Sequence, residues 1–196
     1  MSIRYNAPVT LSFTLLATLL LVIQTYTPFD VMQYFCVYPT IEPSNPMWYV
    51  RLFSHVLGHG GPTEAGGWEG WDHLVGNFTF ILLLGPILEE KYSSRDLLLM
   101  ILVTALITGL LQVFFFDSAL LGASGIVFML ILLSSVTNSR GGIPLTFLLV
   151  TALFLGKEIV QSFGADNVSQ FAHIIGGVLG AVFGFMLERG QAQRSR

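Results

Sequence analysis

A serine between small residues and a histidine in a later apolar segment are the side chains of this chain best suited to chemistry. Ser124 lies in Gly122-Ala123-Ser124-Gly125, where an apolar segment begins, and His173 lies in another apolar segment. Hydroxyl and imidazole groups are costly in hydrocarbon unless they find partners or line a wet cavity. Within hydrogen-bonding reach, an imidazole can take the serine proton and create a nucleophile. No carboxylate has an obvious claim to a third role, so we predict a Ser124–His173 dyad.

Two further polar side chains could assist such a nucleophile. His73 and Asn77 are one helical turn apart, so they share a face at the start of a third apolar segment. Both can donate hydrogen bonds to a developing oxyanion, as can the unpaired amides of a helix that begins at Ser124. Gly122 and Gly125 would allow a tight turn and a close approach of the backbone to a substrate carbonyl.

The segment of His173 also carries glycines at helical spacing. Gly176, Gly180 and Gly184 follow the histidine along one helix face. Small residues repeated every four positions allow two membrane helices to approach closely, most simply here against the helix that begins at Ser124. Close packing of these two helices is what would bring the imidazole to the hydroxyl.

Each of these motifs also has a purely structural interpretation. The serine could be a helix cap, His173 could hydrogen-bond between helices, and His73 with Asn77 could form a polar clamp. His55 and His59 are four residues apart, a spacing at which two histidines can bind a metal ion. The chain, however, has no HExxH motif and no carboxylate at ligand spacing. We therefore predict no metal and no other cofactor.

The composition is that of a membrane protein. The chain is 53% hydrophobic and only 11% charged, against about 25% charged residues in soluble domains. A net charge of −3 gives no reason to expect a nucleic-acid partner, and the lone Cys36 excludes an internal disulfide. We predict one all-α membrane domain over residues 1–196, a bundle of six transmembrane helices. The predicted spans are roughly 9–26, 73–88, 97–116, 124–136, 143–163 and 168–187, with a long loop over 27–72.

The fourth predicted span is too short to cross a membrane alone. Fourteen residues from Ser124 to Thr137 make about 21 Å of helix, whereas the hydrocarbon core is about 30 Å thick. The residues before Ser124 must then enter the outer leaflet as irregular backbone, which is tolerated only inside protein or beside a water-filled cavity. We predict such a cavity in the outer half, with Ser124 at its floor.

Positive charge predicts the orientation. With both termini cytoplasmic, the outer side receives only Arg51 and Lys157. The cytoplasmic side receives the other seven basic residues, which are Arg4, Lys91, Arg95, Arg140, Arg189, Arg194 and Arg196. Ser124 and His173 each lie 16 residues before the next cytoplasmic arginine, and Asn77 lies 14 residues before Lys91. At about 1.5 Å per residue, the three side chains fall at one depth in the outer leaflet.

Together these motifs resemble the rhomboid family of intramembrane serine proteases. The resemblance rests on G-x-S-G at the start of a short fourth helix, A-H-x-x-G in the sixth and H-x-x-x-N in the second, and it runs from about Trp48 to Leu187. It implies a rhomboid-like bundle in which Ser124 is the nucleophile and His173 the base. His73, Asn77 and the Ser124 amide would form the oxyanion hole.

The resemblance also implies structural roles for further residues, and the sequence departs from the family pattern at some positions. Arg51 and Glu89 match structural polar positions of the family, although Trp48 does not directly precede the arginine as it often does there. Phe128 stands where many members have tyrosine and keeps a ring that can stack on the histidine. The glycine-rich run over 60–70 lengthens the spacing from His59 to the second helix, so the sequence leaves the place of His59 open.

These observations predict an intramembrane serine endopeptidase of a bacterial inner membrane. Its partners would be the bilayer and transmembrane substrates with small residues near a cut at the outer end. The alternative is an inactive rhomboid-like protein that binds client transmembrane helices without cutting them. A small transporter would be a third class, but the chain lacks a convincing inverted repeat.

Overall fold

A computed structural model describes residues 5–60, 69–137, 143–161 and 168–194. Within these residues the chain is helical, and the one β-type pairing is an isolated antiparallel bridge between Val37 and Leu120. Two 3-10 turns, Met32–Tyr34 and His55–Leu57, lie in the first loop. The α-helices are α1 Pro8–Tyr26, α2 Pro46–Ser54, α3 Glu69–Tyr92, α4 Ser94–Phe115, α5 Ser124–Val136, α6 Leu145–Gln161 and α7 Val168–Arg194.

Four of these helices are long and apolar enough to cross a membrane. They are Pro8–Tyr26, Gly70–Tyr92, Ser94–Phe115 and Gln170–Leu187, and two shorter apolar helices cover Ser124–Val136 and Leu145–Phe154. The predicted all-α membrane architecture is therefore present, whereas the count of six spans stays a prediction.

The helix that the sequence did not predict is α2, which makes seven in the described residues. It has nine residues, so its length of about 14 Å is too short to cross hydrocarbon. Asn45 caps it by accepting a hydrogen bond from the Met47 amide, and Pro46 occupies the first turn. Local capping chemistry, which a search for apolar runs does not detect, explains this helix.

The observed bounds extend beyond several predicted spans. Helix α3 begins at Glu69 and ends at Tyr92, and α7 continues to Arg194, because helical backbone continues where the side chains become polar. The bounds of α5 are the same residues as the predicted fourth span. Most of the glycine-rich run, residues 61–68, lies outside the described residues.

Helix α5 lies at the centre of the bundle and packs most extensively on α7. Ten of its 13 residues are buried. A Cβ atom on Gly176 would overlap the carbonyl oxygen of Gly125, and one on Gly180 would overlap that of Met129. The two backbones are therefore in contact, as the glycine spacing predicts.

Hydrogen bonds to Glu89 join the start of α1 to the end of α3. Its carboxylate accepts hydrogen bonds from the amides of Val9 and Thr10, at 2.9 and 3.0 Å, and from the Thr10 hydroxyl at 2.8 Å. Ser94 of α4 donates a fourth, at 2.7 Å. A negative charge at unpaired helix amides is favourable, so Glu89 holds three helices together.

The first loop folds back over the bundle and is held by its own polar contacts. Arg51 Nε donates to the carbonyl oxygen of Gln33 at 2.8 Å, and its guanidinium lies 5.1 Å from the centre of the Tyr38 ring. The bridge between Val37 and Leu120 then joins this loop to the irregular segment before α5.

His55 makes the second connection between the first loop and that segment. Its Nε2–H donates to the carbonyl oxygen of Ala105 on α4 at 3.1 Å, and its own carbonyl accepts from the Gly122 amide at 2.9 Å. The ring is 2% exposed, and among the described residues Nδ1 has no hydrogen-bond partner. Burial lowers the pKa of His55 to about 4, so the ring stays neutral at neutral pH.

The contact between α5 and α7 predicts that Gly180→Ala is destabilising. The added methyl group would force the two backbones apart, which typically costs about 1–3 kcal/mol. Thermal denaturation in detergent should show a lower Tm for this variant. Gly156→Ala on α6 is the matched control, because its Cβ would meet nothing within 4 Å. Equal Tm values for the two variants would contradict the packing.

The buried His55 predicts a loss of stability toward acid. The unfolded chain takes up a proton near the ordinary pKa of 6.5, whereas the folded ring does so only near 4. Stability therefore falls as the pH drops through this window, by on the order of 2 kcal/mol between about pH 7.5 and 5. The Tm of His55→Gln, which keeps a donor but cannot titrate, should fall less over this range. An identical fall in both proteins would refute the prediction.

Candidate active site

A cavity of about 510 Å³ opens among α3, the segment before α5, α5 itself, α6 and α7. Five of the predicted site residues line it, namely His73, Asn77, Ser124, Phe128 and His173. The remaining lining is mostly apolar, with the exposed carboxylate of Asp72 at the start of α3. The described structure thus brings together residues that are up to 100 positions apart in the sequence.

Ser124 is the first residue of α5 and is half-buried at the wall of this cavity. The first backbone hydrogen bond of the helix runs from the Val127 amide to the Ala123 carbonyl. The amides of residues 124–126 therefore have no acceptor within the helix. Unpaired amides and the positive end of the helix dipole favour negative charge at this position.

His173 is oriented by an aromatic ring of α5. The Phe128 and His173 rings stack with their centres 4.4 Å apart and their planes 7° apart. Phe128 lies one helical turn after Ser124, so the imidazole lies beside the turn that carries the serine. Gly125 of α5 and Gly176 of α7 allow the backbones of the two helices to touch, which brings His173 close to this turn of α5.

Gly122 fits its position for two reasons. Its φ of +121° is a conformation that side chains with a Cβ rarely adopt. A Cβ atom there would also lie 2.6 Å from Cε1 of His73. The turn before Ser124 therefore packs directly on the His73 ring, which the sequence pattern alone does not indicate.

Asn77 is buried and has a partner that the sequence left unplaced. Its Nδ2 lies 3.2 Å from Nε2 of His59, which is fully buried in the first loop. The His59 ring also lies 5.0 Å from the His73 ring, measured between centres. The spacing of His55 and His59 would place both on one helix face, but the 3-10 turn ends at Leu57. The two rings consequently have different partners: His55 bonds Ala105 of α4, and His59 bonds Asn77 of α3.

The supporting residues lie at different distances from the cavity. Gly122 and Gly125 adjoin Ser124, and Gly176 faces Gly125 across the α5–α7 contact. Arg51 and Glu89 do not line the cavity, and their contacts hold the first loop and α1 respectively.

Sequence reasoning did not assign roles to His55, His59 or Asp72. His55 and His59 are marked out by their burial, because buried polar groups need partners. That burial cannot be inferred from hydrophobic periodicity, since both residues lie in an irregular loop.

Comparison with known proteins identifies the family of the chain. Residues 46–190 match the Rhomboid domain, which is about three-quarters of the chain and includes the whole cavity lining. The chain is also 26% identical to "Rhomboid protease GlpG" of Haemophilus influenzae over 183 residues, covering 91% of this chain and 90% of that protein. Since the matched domain spans well over half of the sequence, the chain belongs to the rhomboid family.

Proposed function

We propose that the protein is an intramembrane serine endopeptidase in which Ser124 is the nucleophile and His173 the general base. The observation that carries the proposal is the shared cavity: the serine at the start of α5 and the imidazole stacked on Phe128 line the same cavity. A serine that only capped a helix would need neither a stacked imidazole nor a cavity beside it.

The proposed reaction proceeds in two halves. His173 takes the proton of the Ser124 hydroxyl as Oγ attacks the carbonyl carbon of the scissile peptide bond. The tetrahedral intermediate collapses, the C–N bond breaks, and His173 returns the proton to the departing amine. Water then attacks the acyl-enzyme with His173 again as base, which releases the new carboxylate and restores Ser124. The chain's own residues are sufficient for each proton transfer.

The oxyanion of each intermediate would be held by Asn77, His73 and the amide of Ser124. Asn77 and His73 line the cavity from α3, and Ser124, at the start of α5 where the unpaired amides lie, lines the same cavity. Donors fixed in advance stabilise developing charge more than they stabilise the neutral carbonyl.

The proposed substrate is a single transmembrane helix that unwinds near its outer end. Peptide bonds in a helix are hydrogen-bonded and shielded, so a segment must open before its carbonyl can reach Ser124. Most of the remaining cavity lining is apolar, including Phe80 of α3 and Phe154 of α6, which suits a substrate arriving from lipid. Small residues near the cut would allow close approach to Oγ.

The charge bias supports an orientation with both termini in the cytoplasm and the cavity in the outer half. A bacterial inner membrane is the proposed location, in keeping with the bacterial source of the relative named above.

Replacing the nucleophile should abolish cleavage without unfolding the protein. Ser124→Ala, purified and reconstituted, should show no cleavage of a synthetic single-span substrate by mass spectrometry, with an unchanged Tm. Ser134→Ala on the same helix is the control, because within the described parts of the chain that hydroxyl bonds only the Ile131 carbonyl. Cleavage that persists in Ser124→Ala would rule out the assignment. A wild type that binds the substrate but never cuts it would favour the client-binding alternative.

Removing one oxyanion donor should slow cleavage without stopping it. Asn77→Ala is expected to lower kcat by about 10²-fold with little change in KM, by analogy with the loss of one such donor elsewhere. Thr79→Ala is the control, since Thr79 lies on the same helix, is exposed and, among the residues that the structure describes, bonds only the Val75 carbonyl. An unchanged kcat in Asn77→Ala would remove Asn77 from this role.

A further inference from the structure

His59 is a fully buried histidine that lies directly behind the cavity wall. It stands in the first loop, and both of its ring nitrogens have partners. Nδ1 lies 3.2 Å from the carbonyl oxygen of Leu57, and Nε2 lies 3.2 Å from Nδ2 of Asn77. The Phe78 ring holds it from the side in an edge-on contact, with ring centres 5.4 Å apart.

These partners determine where the proton on the ring lies. A carbonyl oxygen can only accept, so Nδ1 must carry the hydrogen that bonds Leu57. A neutral imidazole then has a bare Nε2, which can only accept, and the group facing it must be the amide nitrogen of Asn77. Burial and the neighbouring His73 lower the pKa of His59 to about 4, which keeps the ring neutral.

The orientation of Asn77 follows from this tautomer. Of its two amide N–H groups, one is taken up by His59, and the carboxamide can no longer rotate freely about its last torsion. The second N–H remains for the cavity that Ser124 also lines. A ring protonated on both nitrogens would instead demand the Asn77 oxygen and would turn both N–H groups away.

We propose that His59 is a positioning residue: as the Nδ1–H tautomer it accepts a hydrogen bond from Asn77 and fixes the direction of the N–H that Asn77 offers to the oxyanion. The proposal rests on the endopeptidase function proposed above. It gives the first loop a part in the chemistry, although His59 itself touches no substrate.

The first test compares two substitutions of similar size. His59→Leu removes the acceptor, so kcat should fall about tenfold while KM stays within about twofold, because the donor is misdirected and not lost. His59→Gln can present an oxygen near the former Nε2 position and should retain kcat within about threefold of wild type. A normal kcat in His59→Leu would overturn the proposal.

A double-mutant cycle separates positioning from a general effect on folding. If His59 acts through Asn77, then His59→Leu should lower kcat no further in an Asn77→Ala background. His55→Leu is the matched control, since that buried ring bonds α4 instead, and its effect should be as large in either background. An equal loss from His59→Leu in both backgrounds would show that His59 supports only the fold.

The tautomer can be read directly even if the variants fold poorly. In wild-type protein labelled with ¹⁵N-histidine, the His59 signals should show protonated Nδ1 and bare Nε2 at neutral pH, opposite to His55. Asn77→Ala should shift the His59 Nε2 resonance and leave those of His55 unchanged. A ring protonated on Nε2 would overturn the proposal. Absence of Ser124-dependent cleavage by wild type would instead refute the proposed function, whatever the His59 tautomer.

Discussion

Backbone contact between α5 and α7 is the constraint on which the rest of the structure depends. In lipid there is little hydrophobic driving force between helices, so close packing must supply the stabilisation. Glycines at 125, 176 and 180 let the two helices meet without intervening side chains. That approach places the His173 ring flat on Phe128 and beside the turn of Ser124. A separation larger by one methyl group would move the imidazole relative to the hydroxyl.

The short length of α5 creates the second requirement, which the first loop meets. Because α5 begins at Ser124, the chain before it is irregular, and its polar backbone groups need partners inside the bundle. The Val37–Leu120 bridge and the bond from the Gly122 amide to the His55 carbonyl supply them. His59 extends the same support to Asn77. The first loop therefore supports both the segment before α5 and Asn77 of α3, which line the cavity.

Much of this arrangement could be predicted from sequence because its signals are local. Glycine spacing indicated the α5–α7 contact, and the short apolar run indicated where α5 starts. Residue types indicated which side chains belong in the cavity. The buried contacts of His55 and His59 could not be predicted, because they depend on how an irregular loop folds over the bundle. The short helix α2 escaped a search for apolar runs for a similar reason, since local capping at Asn45 determines it.

The central claim is that a base-activated serine lies in this cavity, and covalent labelling tests it most directly. Purified protein in detergent would be treated with a fluorophosphonate, and the modified residue located by mass spectrometry. We expect a single adduct on Ser124 that is lost when His173 is replaced by alanine in a folded protein. Failure of folded wild-type protein to react, or an adduct that forms equally well without the imidazole, would contradict it.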